Sequence, residues 1–284
     1  MNNHSVEEMI DEVFNEVNHA EDHNNDKKPS VFIMVGNIGS GKSTLIRKLI
    51  NMHDGVIINK DSLFESMCGS YGIYDSNKID FYNDVEFELM RSSLKKGYNV
   101  FIDRLNINKE QRTKFINIAK EYTDKIIAYD FGHDNEEGLE RRKKNNRGMP
   151  DSVWEKVFEI TKKAYEPPTK EEGFSEIKTP PTKWYFVAFD FDKTIANTDE
   201  NHNIKSLKQK TVDDLLKYYK NINNIIIIWT CRDGDMLNQA LKFLNDNKIP
   251  YDYVNENPLC GFDCSNKIFA HKYYDDRAIN IKDI

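Results

Sequence analysis

The sequence predicts an α/β protein of two domains, each built on a parallel sheet. Three observations predict it. Short apolar runs alternate with helical patterns from residue 31 onward. Two of these runs, "VFIMV" and "YFVAFD", pass directly into loops of unusual composition. A stretch with two proline pairs, "YEPPTKEEGFSEIKTPPTKW" at 165–184, separates the two patterns.

The elements follow in chain order. Residues 5–18 place Val6, Met9, Ile10, Val13, Phe14 and Val17 at helical spacing, with Ser5 and Glu8 as a capping box. A polar linker follows, so 1–28 reads as an acidic N-terminal helix and linker. Strands are expected near 31–36, 56–59, 98–102 and 126–131. Helices are expected near 42–52, 78–96, 108–122, 134–145 and 151–165. This alternation implies a parallel sheet covered on both faces over residues 29–180. A smaller domain is expected at 181–284, with strands at 185–189 and 224–229 and helices at 205–220 and 235–247.

Composition narrows the function classes. The 284 residues carry a net charge of −7 and are 31% charged. Residues 1–28 hold eight acids and two lysines, so the remainder is close to neutral. A body of this kind fits a local basic patch for a nucleic-acid end rather than a coat along duplexes. No run approaches a membrane span, and the acidic N-terminus lacks the order of a signal peptide. Cys68, Cys231, Cys260 and Cys264 follow no disulfide or zinc spacing, which points to reduced thiols in a cytoplasmic protein.

Two loops carry the chemistry. Gly36-Asn-Ile-Gly39-Ser40-Gly41-Lys42-Ser43 fits G-x-x-x-x-G-K-[ST] between a strand and a helix. Glycines let the backbone N–H groups turn inward toward phosphate, and the helix start adds positive potential. Lys42 suits the β- and γ-phosphates of ATP, and Ser43 a Mg²⁺ ion, with Thr44 next in line. Asp61, just past the "VIIN" strand, is the candidate base, with a helix N-cap as the alternative reading. Asp103 ends "YNVFID" in the same way, as a carboxylate behind Mg²⁺ or an anchor for a basic group on the substrate side. Arg141, Arg142, Lys143, Lys144 and Arg147 form the densest basic run, either a solvated face or a lid that stabilises transferred charge.

The second loop is "DFDKT", with Asp190, Asp192 and Thr194. Asp190 can attack phosphorus, and Asp192 can protonate the leaving group and later activate water. "NIIIIWTCR" then places Thr230 at the end of an apolar strand with Arg232 two residues on, a surface charge being its alternative reading, and "YYDDR" places Asp275 and Asp276, with an ordinary turn as theirs. Together with Asp190 and Asp192 these acids form the expected Mg²⁺ set. Lys267 is the candidate to neutralise an intermediate, with Lys272 as its competitor.

Residues 30–178 resemble the polynucleotide 5′-hydroxyl kinases of P-loop NTPase type, through the P-loop, "NKD", "VFIDRLNINKEQR", "RRKKNNRG" and "EPPTKEEGFSEI". The "DFDKT" loop and its partners resemble the haloacid-dehalogenase-type phosphatases, implying a Rossmannoid sheet with Thr230 and Arg232 as phosphate ligands. The order of the two resembles a polynucleotide kinase–phosphatase of the phage end-healing type. The resemblance implies Asp61 as general base and Arg147 and Arg142 as lid arginines on ATP. It implies transfer of phosphate from ATP to 5′-hydroxyl ends and removal of 3′-phosphate. DNA or RNA ends are the implied partners, and a phage or virus is a fitting source; a reading from another class is an adaptor whose acidic N-terminal helix docks a nucleic-acid ligase or repair partner. Two departures stand out. Phe64 occupies a position where some relatives carry an arginine that grips the acceptor, and Arg104 is the candidate replacement. Lys193 sits where glycine is common. The residues leave open a small metabolite as acceptor, DNA against RNA, and the number of subunits.

Overall fold

A computed structural model describes residues 28–69, 76–260 and 268–277. The expected N-terminal helix, Cys264 and Lys267 lie outside the described residues. The chain divides into two compact units between Pro180 and Pro181.

The first unit is a five-stranded sheet in the order β2-β3-β1-β4-β5, with every pairing parallel. Its strands are β1 (Val31–Val35), β2 (Val56–Ile58), β3 (Val100–Ile102), β4 (Ile126–Asp130) and β5 (Glu176–Lys178). All five residues of β1 are buried, as a central strand covered on both faces requires. Its helices are α1 (Lys42–His53), α2 (Lys60–Cys68), α3 (Ile79–Lys95), α4 (Lys109–Lys120), α5 (Glu136–Lys144) and α6 (Asp151–Lys163). Asparagine caps three of them. Asn59, Asn108 and Asn135 accept from the backbone N–H groups of Ser62, Gln111 and Gly138.

The segment read as an interdomain stretch is partly structural. β5 lies within it and extends the sheet beyond β4. Its alternating polar residues, at an edge with little burial, gave no apolar run to read. The same segment is locked from inside by an ion pair. Arg112 on α4 is fully buried and donates to Glu172 through Nε (2.8 Å) and Nη2 (2.7 Å). Its Nη1 donates to the carbonyls of Glu166 and Asn106 at 2.9 and 3.1 Å. Glu172 Oε1 also accepts from the Thr169 N–H at 3.0 Å, closing the turn.

The second unit has a parallel sheet in the order β10-β9-β6-β11. Its strands are β6 (Tyr185–Asp190), β9 (Asn224–Trp229), β10 (Tyr253–Val254) and β11 (Lys272–Tyr274). An antiparallel hairpin, β7 (Ala196–Thr198) with β8 (Ile204–Leu207), follows the D-x-D-x-T loop. The helix expected from residue 205 therefore starts later, as α7 (Gln209–Tyr219). The helical period came from Val212, Leu215 and Leu216, whereas Ile204–Leu207 pairs with β7 instead. α8 (Gly234–Asp246) completes the unit.

Breaking the Arg112–Glu172 pair leaves a buried guanidinium uncompensated, which costs about 3–5 kcal/mol. Glu172→Ala is expected to lose about that much stability in a urea titration, whereas a loss under about 1 kcal/mol would contradict the lock.

Candidate active sites

In the first unit, the carboxyl ends of β1, β2 and β3 open on a cleft of about 550 Å³. The loop after β1 supplies Ile38 to Thr44 as one wall, so Gly39, Ser40, Gly41, Lys42, Ser43 and Thr44 all line it. Gly39 is required twice over. Its φ is +64°, and a Cβ there would lie 1.9 Å from the Gly138 carbonyl oxygen at the start of α5. The loop and α5 therefore meet backbone to backbone. Gly36 opens the loop with φ +151°, and a Cβ there would meet Phe131 at 2.7 Å.

Lys42 curls onto its own loop. Nζ donates to the Gly36 and Asn37 carbonyls at 2.9 and 2.6 Å and to Ser40 Oγ at 3.2 Å. Burial lowers its pKa to about 8; the Asp103 charge raises it and Arg142 lowers it again. An arriving anion would favour the charged form. Ser43 Oγ donates to Asp103 Oδ2 at 2.7 Å, and Asn59 Nδ2 donates to the same oxygen at 2.9 Å. Asp103, read from the sequence as a carboxylate behind Mg²⁺ or an anchor for a basic residue, stands behind the loop serine, where a cation held by Ser43 would feel its charge.

Asp61 sits in the first turn of α2, and Arg147 Nη1 donates to its Oδ2 at 2.7 Å. The capping residue is Asn59, which leaves the Asp61 carboxylate pointed at the basic segment rather than at its own helix. Arg147 adopts φ 52°, an uncommon conformation for a side-chain-bearing residue. Arg142 lies 5.0 Å from the Trp154 ring centroid, and Arg141 Nη2 donates to the Gly39 carbonyl at 2.9 Å. The basic run is therefore not simply a solvated face, for Arg141, Arg142 and Arg147 all line the cleft. Arg104 lines it too, held through Nη1 to the buried Glu86 at 2.8 Å. Phe64 is buried against Tyr82, its ring 5.0 Å away and edge-on. Asn59 and Lys60 were not singled out from the sequence. A polar residue at the end of a strand, as in "NKD", is the signal that could have found them.

In the second unit, the site again lies at the carboxyl edge. Asp190 ends β6, Thr230 directly follows β9, and Asp275 directly follows β11. Asp190, Asp275 and Asp276 bring carboxylate oxygens within 4.8 Å of one another, a set able to hold a divalent cation. Thr194 ties the group together. Its hydroxyl donates to Asp190 Oδ2 at 3.1 Å and accepts from the Asp276 N–H at 3.0 Å. Lys193 takes φ 56°, the left-handed conformation that explains why glycine suits this position.

Asp192 departs from the expected cation set. Its Oδ2 and Oδ1 accept from Arg232 Nε and Nη2, both at 2.8 Å. Arg232 is itself buried, 4.9 Å from the Phe191 ring centroid, and Nη2 also donates to the His202 carbonyl at the hairpin tip. Arg232, expected as a phosphate ligand, in this structure bridges Asp192 and the β7–β8 hairpin. Burial pushes the Asp192 pKa up, but the Arg232 bonds and charge, with Thr198 and His202, bring it below its ordinary value. Thr230 is buried, its N–H donating to Asn255 Oδ1 at 2.8 Å. Lys272 is drawn elsewhere, its Nζ donating to the Tyr218 and Tyr274 hydroxyls at 2.9 and 3.0 Å.

Residues 31–168 match a family model described as an AAA domain. The "Putative bifunctional polynucleotide phosphatase/kinase" of Acanthamoeba polyphaga mimivirus is 28% identical over 177 residues. That match takes in 60% of this chain but only 36% of the viral protein, so the chain spans about a third of that relative's length. A chain in the structure of the Pnkp1/Rnl/Hen1 RNA repair complex aligns with a TM-score of 0.42 and 22% identity, over 91% of this chain and 93% of that one. A fungal RNA kinase structure aligns with a TM-score of 0.36 and 18% identity, over 78% and 50%. Among the described residues no helix is long and apolar enough to cross a membrane.

Asp190 gives a pH test. Burial, and then the like charges of Asp275 and Asp276, raise its pKa to about 6, against hydrogen bonds from Thr194 and Phe191 that lower it. The raised value means the folded, cation-free protein holds a proton that the unfolded chain releases, so this group's contribution to stability falls as pH rises through about 6. A divalent cation competes with that proton. Mg²⁺ affinity, read by calorimetry, is expected to climb between pH 5 and pH 7 by up to about tenfold per unit below the transition. A flat profile would contradict it. On its fold and its matched residues, the first unit is an α/β domain with a parallel sheet and a phosphate-binding loop, matched by an AAA-domain model.

Proposed function

We propose that this chain heals nucleic-acid ends, moving the γ-phosphate of ATP to a 5′-hydroxyl in the first unit and removing a 3′-phosphate in the second. One observation carries the reading. A single chain holds Lys42 and Ser43 in a cleft with Asp61, and separately a D-x-D-x-T loop whose first acid meets Asp275 and Asp276. The viral relative's name, which joins a phosphatase and a kinase acting on polynucleotides, supports it. The second unit is read as a haloacid-dehalogenase-like domain.

In the kinase cleft, the loop's N–H groups and Lys42 hold the phosphates, and Lys42 exchanges its carbonyl partners for phosphate oxygens. Asp61 takes the proton of the attacking hydroxyl. It must first be released by Arg147, which then faces the transferring phosphoryl group and stabilises its charge. Arg142, stacked on Trp154, is placed to join it.

In the phosphatase site, Asp190 attacks phosphorus and the bond to the 3′-oxygen breaks, leaving an aspartyl-phosphate. Asp192 gives the leaving oxygen a proton and then takes one from the water that attacks the intermediate. Arg232 keeps Asp192 ionised without substrate. An arriving phosphate, by like charge, raises Asp192 toward protonation and draws Arg232 toward itself. Thr230 contributes its hydroxyl to the phosphate, and Lys267 is the candidate to neutralise the intermediate. Ser43, backed by Asp103, and Asp190 with Asp275 and Asp276 would hold Mg²⁺, which when bound offsets the charge between carboxylate and phosphate.

The test uses ATP labelled at the γ-position with 5′-hydroxyl oligonucleotides, and unlabelled protein with 3′-phosphorylated ones, in matched DNA and RNA series. Asp61→Asn is expected to lower transfer about 10²–10⁴-fold and spare removal, and Asp190→Asn to do the reverse. Transfer to nucleosides but to no oligonucleotide would favour a small-metabolite kinase. No transfer and no release would defeat the proposal.

A further inference from the structure

The carboxyl edge of the second unit holds one more polar side chain beside the site. β10 lies next to β9, which lies next to β6. Asp190 pairs with Trp229, and Val254 pairs with Ile228. Asn255, one residue past Val254, therefore stands level with Asp190, two strands away. Neighbouring strands are about 4.8 Å apart, so β10 runs about 10 Å from β6. Asp275, of the cation set, follows β11 on the other side of β6. Asn255 thus stands on the side of the nucleophile away from the cation.

Asn255 ends β10 in the left-handed conformation, with φ 53°, and its N–H donates to the Ile228 carbonyl at 2.9 Å. Asparagine tolerates such a turn, and the turn asks nothing of its side chain. The side chain nonetheless crosses to the next strand end, where Oδ1 accepts from the Thr230 N–H at 2.8 Å. A backbone N–H can only donate, so the atom facing it is the amide oxygen. That fixes the amide and leaves Nδ2 as the free end, a donor of two protons. Among the described residues nothing accepts from it, and Asn255 is exposed. Thr230 is set at the same point. Its Oγ1 accepts from the Arg232 N–H at 3.2 Å, which leaves the hydroxyl proton for a phosphate.

The surrounding charge limits what Nδ2 can meet. Segments 230–235 and 255–260 carry Asp233, Asp235 and Glu256, all exposed. Their one basic residue, Arg232, is engaged with Asp192. A second phosphodiester would be repelled there, whereas a neutral oxygen would not. Two strands also separate Asn255 from the phosphate captured on Asp190. A neutral donor so placed suits the sugar that carries that phosphate.

We infer that Asn255 Nδ2 donates to the 2′-oxygen of the terminal ribose, and so selects ribose over deoxyribose 3′-phosphate ends. This deepens the phosphatase reading and rests on it. The 2′-oxygen sits on the carbon next to the one that bears the phosphate. It is uncharged, it lies close to the bond that breaks, and only ribose has it. Asn255 is a specificity residue. It takes no proton and does not touch phosphorus.

The experiment measures phosphate release from two 3′-phosphorylated oligonucleotides of one sequence, identical except for a ribose or a 2′-deoxyribose at the terminal nucleotide. Wild-type protein is expected to favour the ribose end in kcat/KM by about tenfold, the size of one or two neutral hydrogen bonds. Asn255→Gly fits the left-handed backbone and removes the amide. It is expected to bring that ratio close to one by lowering use of the ribose end. Inhibition by inorganic phosphate, which has no sugar, is expected to hold in the variant. Equal wild-type use of the two ends would overturn the inference and leave the phosphatase reading standing. So would a ratio unchanged in Asn255→Gly, or a loss of phosphate inhibition in step with the loss of activity, which would put Asn255 on the phosphate or in the fold. Release from neither end would overturn both.

Discussion

A parallel strand buried on both faces can place polar groups only at its ends. β1 is buried along its whole length, and β9 is buried from Asn224 to Ile228. Several of the candidate site groups follow from that constraint. Asp103, Asp190, Thr230 and Asp275 each stand at or one residue beyond the carboxyl end of a strand, and Asp61 stands three beyond β2. The sheets convert short apolar runs into two edges where carboxylates, hydroxyls and backbone N–H groups meet. Each unit then spends its loops on controlling acids that would otherwise repel or ionise at the wrong moment.

That control takes opposite forms in the two units. Asp61 is exposed and restrained from outside by Arg147, a residue of the basic segment. Asp192 is restrained from inside by Arg232, which is buried and also grips the hairpin tip. The first restraint is surface-like and readily exchanged for a phosphate. The second is desolvated and bidentate, so it changes only when a competing charge enters the site. Among the described residues, no arginine bonds to Asp190. It is left with a raised pKa beside two further acids, an arrangement that a divalent cation relieves.

How much of this was legible in the sequence depended on whether a signal was local. The phosphate loop, its strand and its helix were legible because glycine, lysine and serine fall at fixed spacing within one turn. "DFDKT" and the "DD" of "YYDDR" were legible for the same reason. β5 was not, since an edge strand of three residues with one apolar side chain resembles a linker. The β7–β8 hairpin was not, because Ile204 and Leu207 suit the first turn of a helix as well as a strand. The partners were least legible of all. Nothing in α3 marks Glu86 as the anchor of Arg104, eighteen residues later, and nothing local couples Arg232 to Asp192 across forty. Such pairs exist only once the sheets bring strand ends together.

In the proposed phosphatase reaction, the buried strand β6 presents the carboxylate that captures phosphorus, Asp190. The most direct measurement is to quench the protein during turnover of a 3′-phosphorylated oligonucleotide, reduce it with borohydride and locate the modified residue by mass spectrometry. Reduction at Asp190, absent when the substrate is omitted, is the predicted result. Release of phosphate with Asp190 unmodified throughout would contradict it.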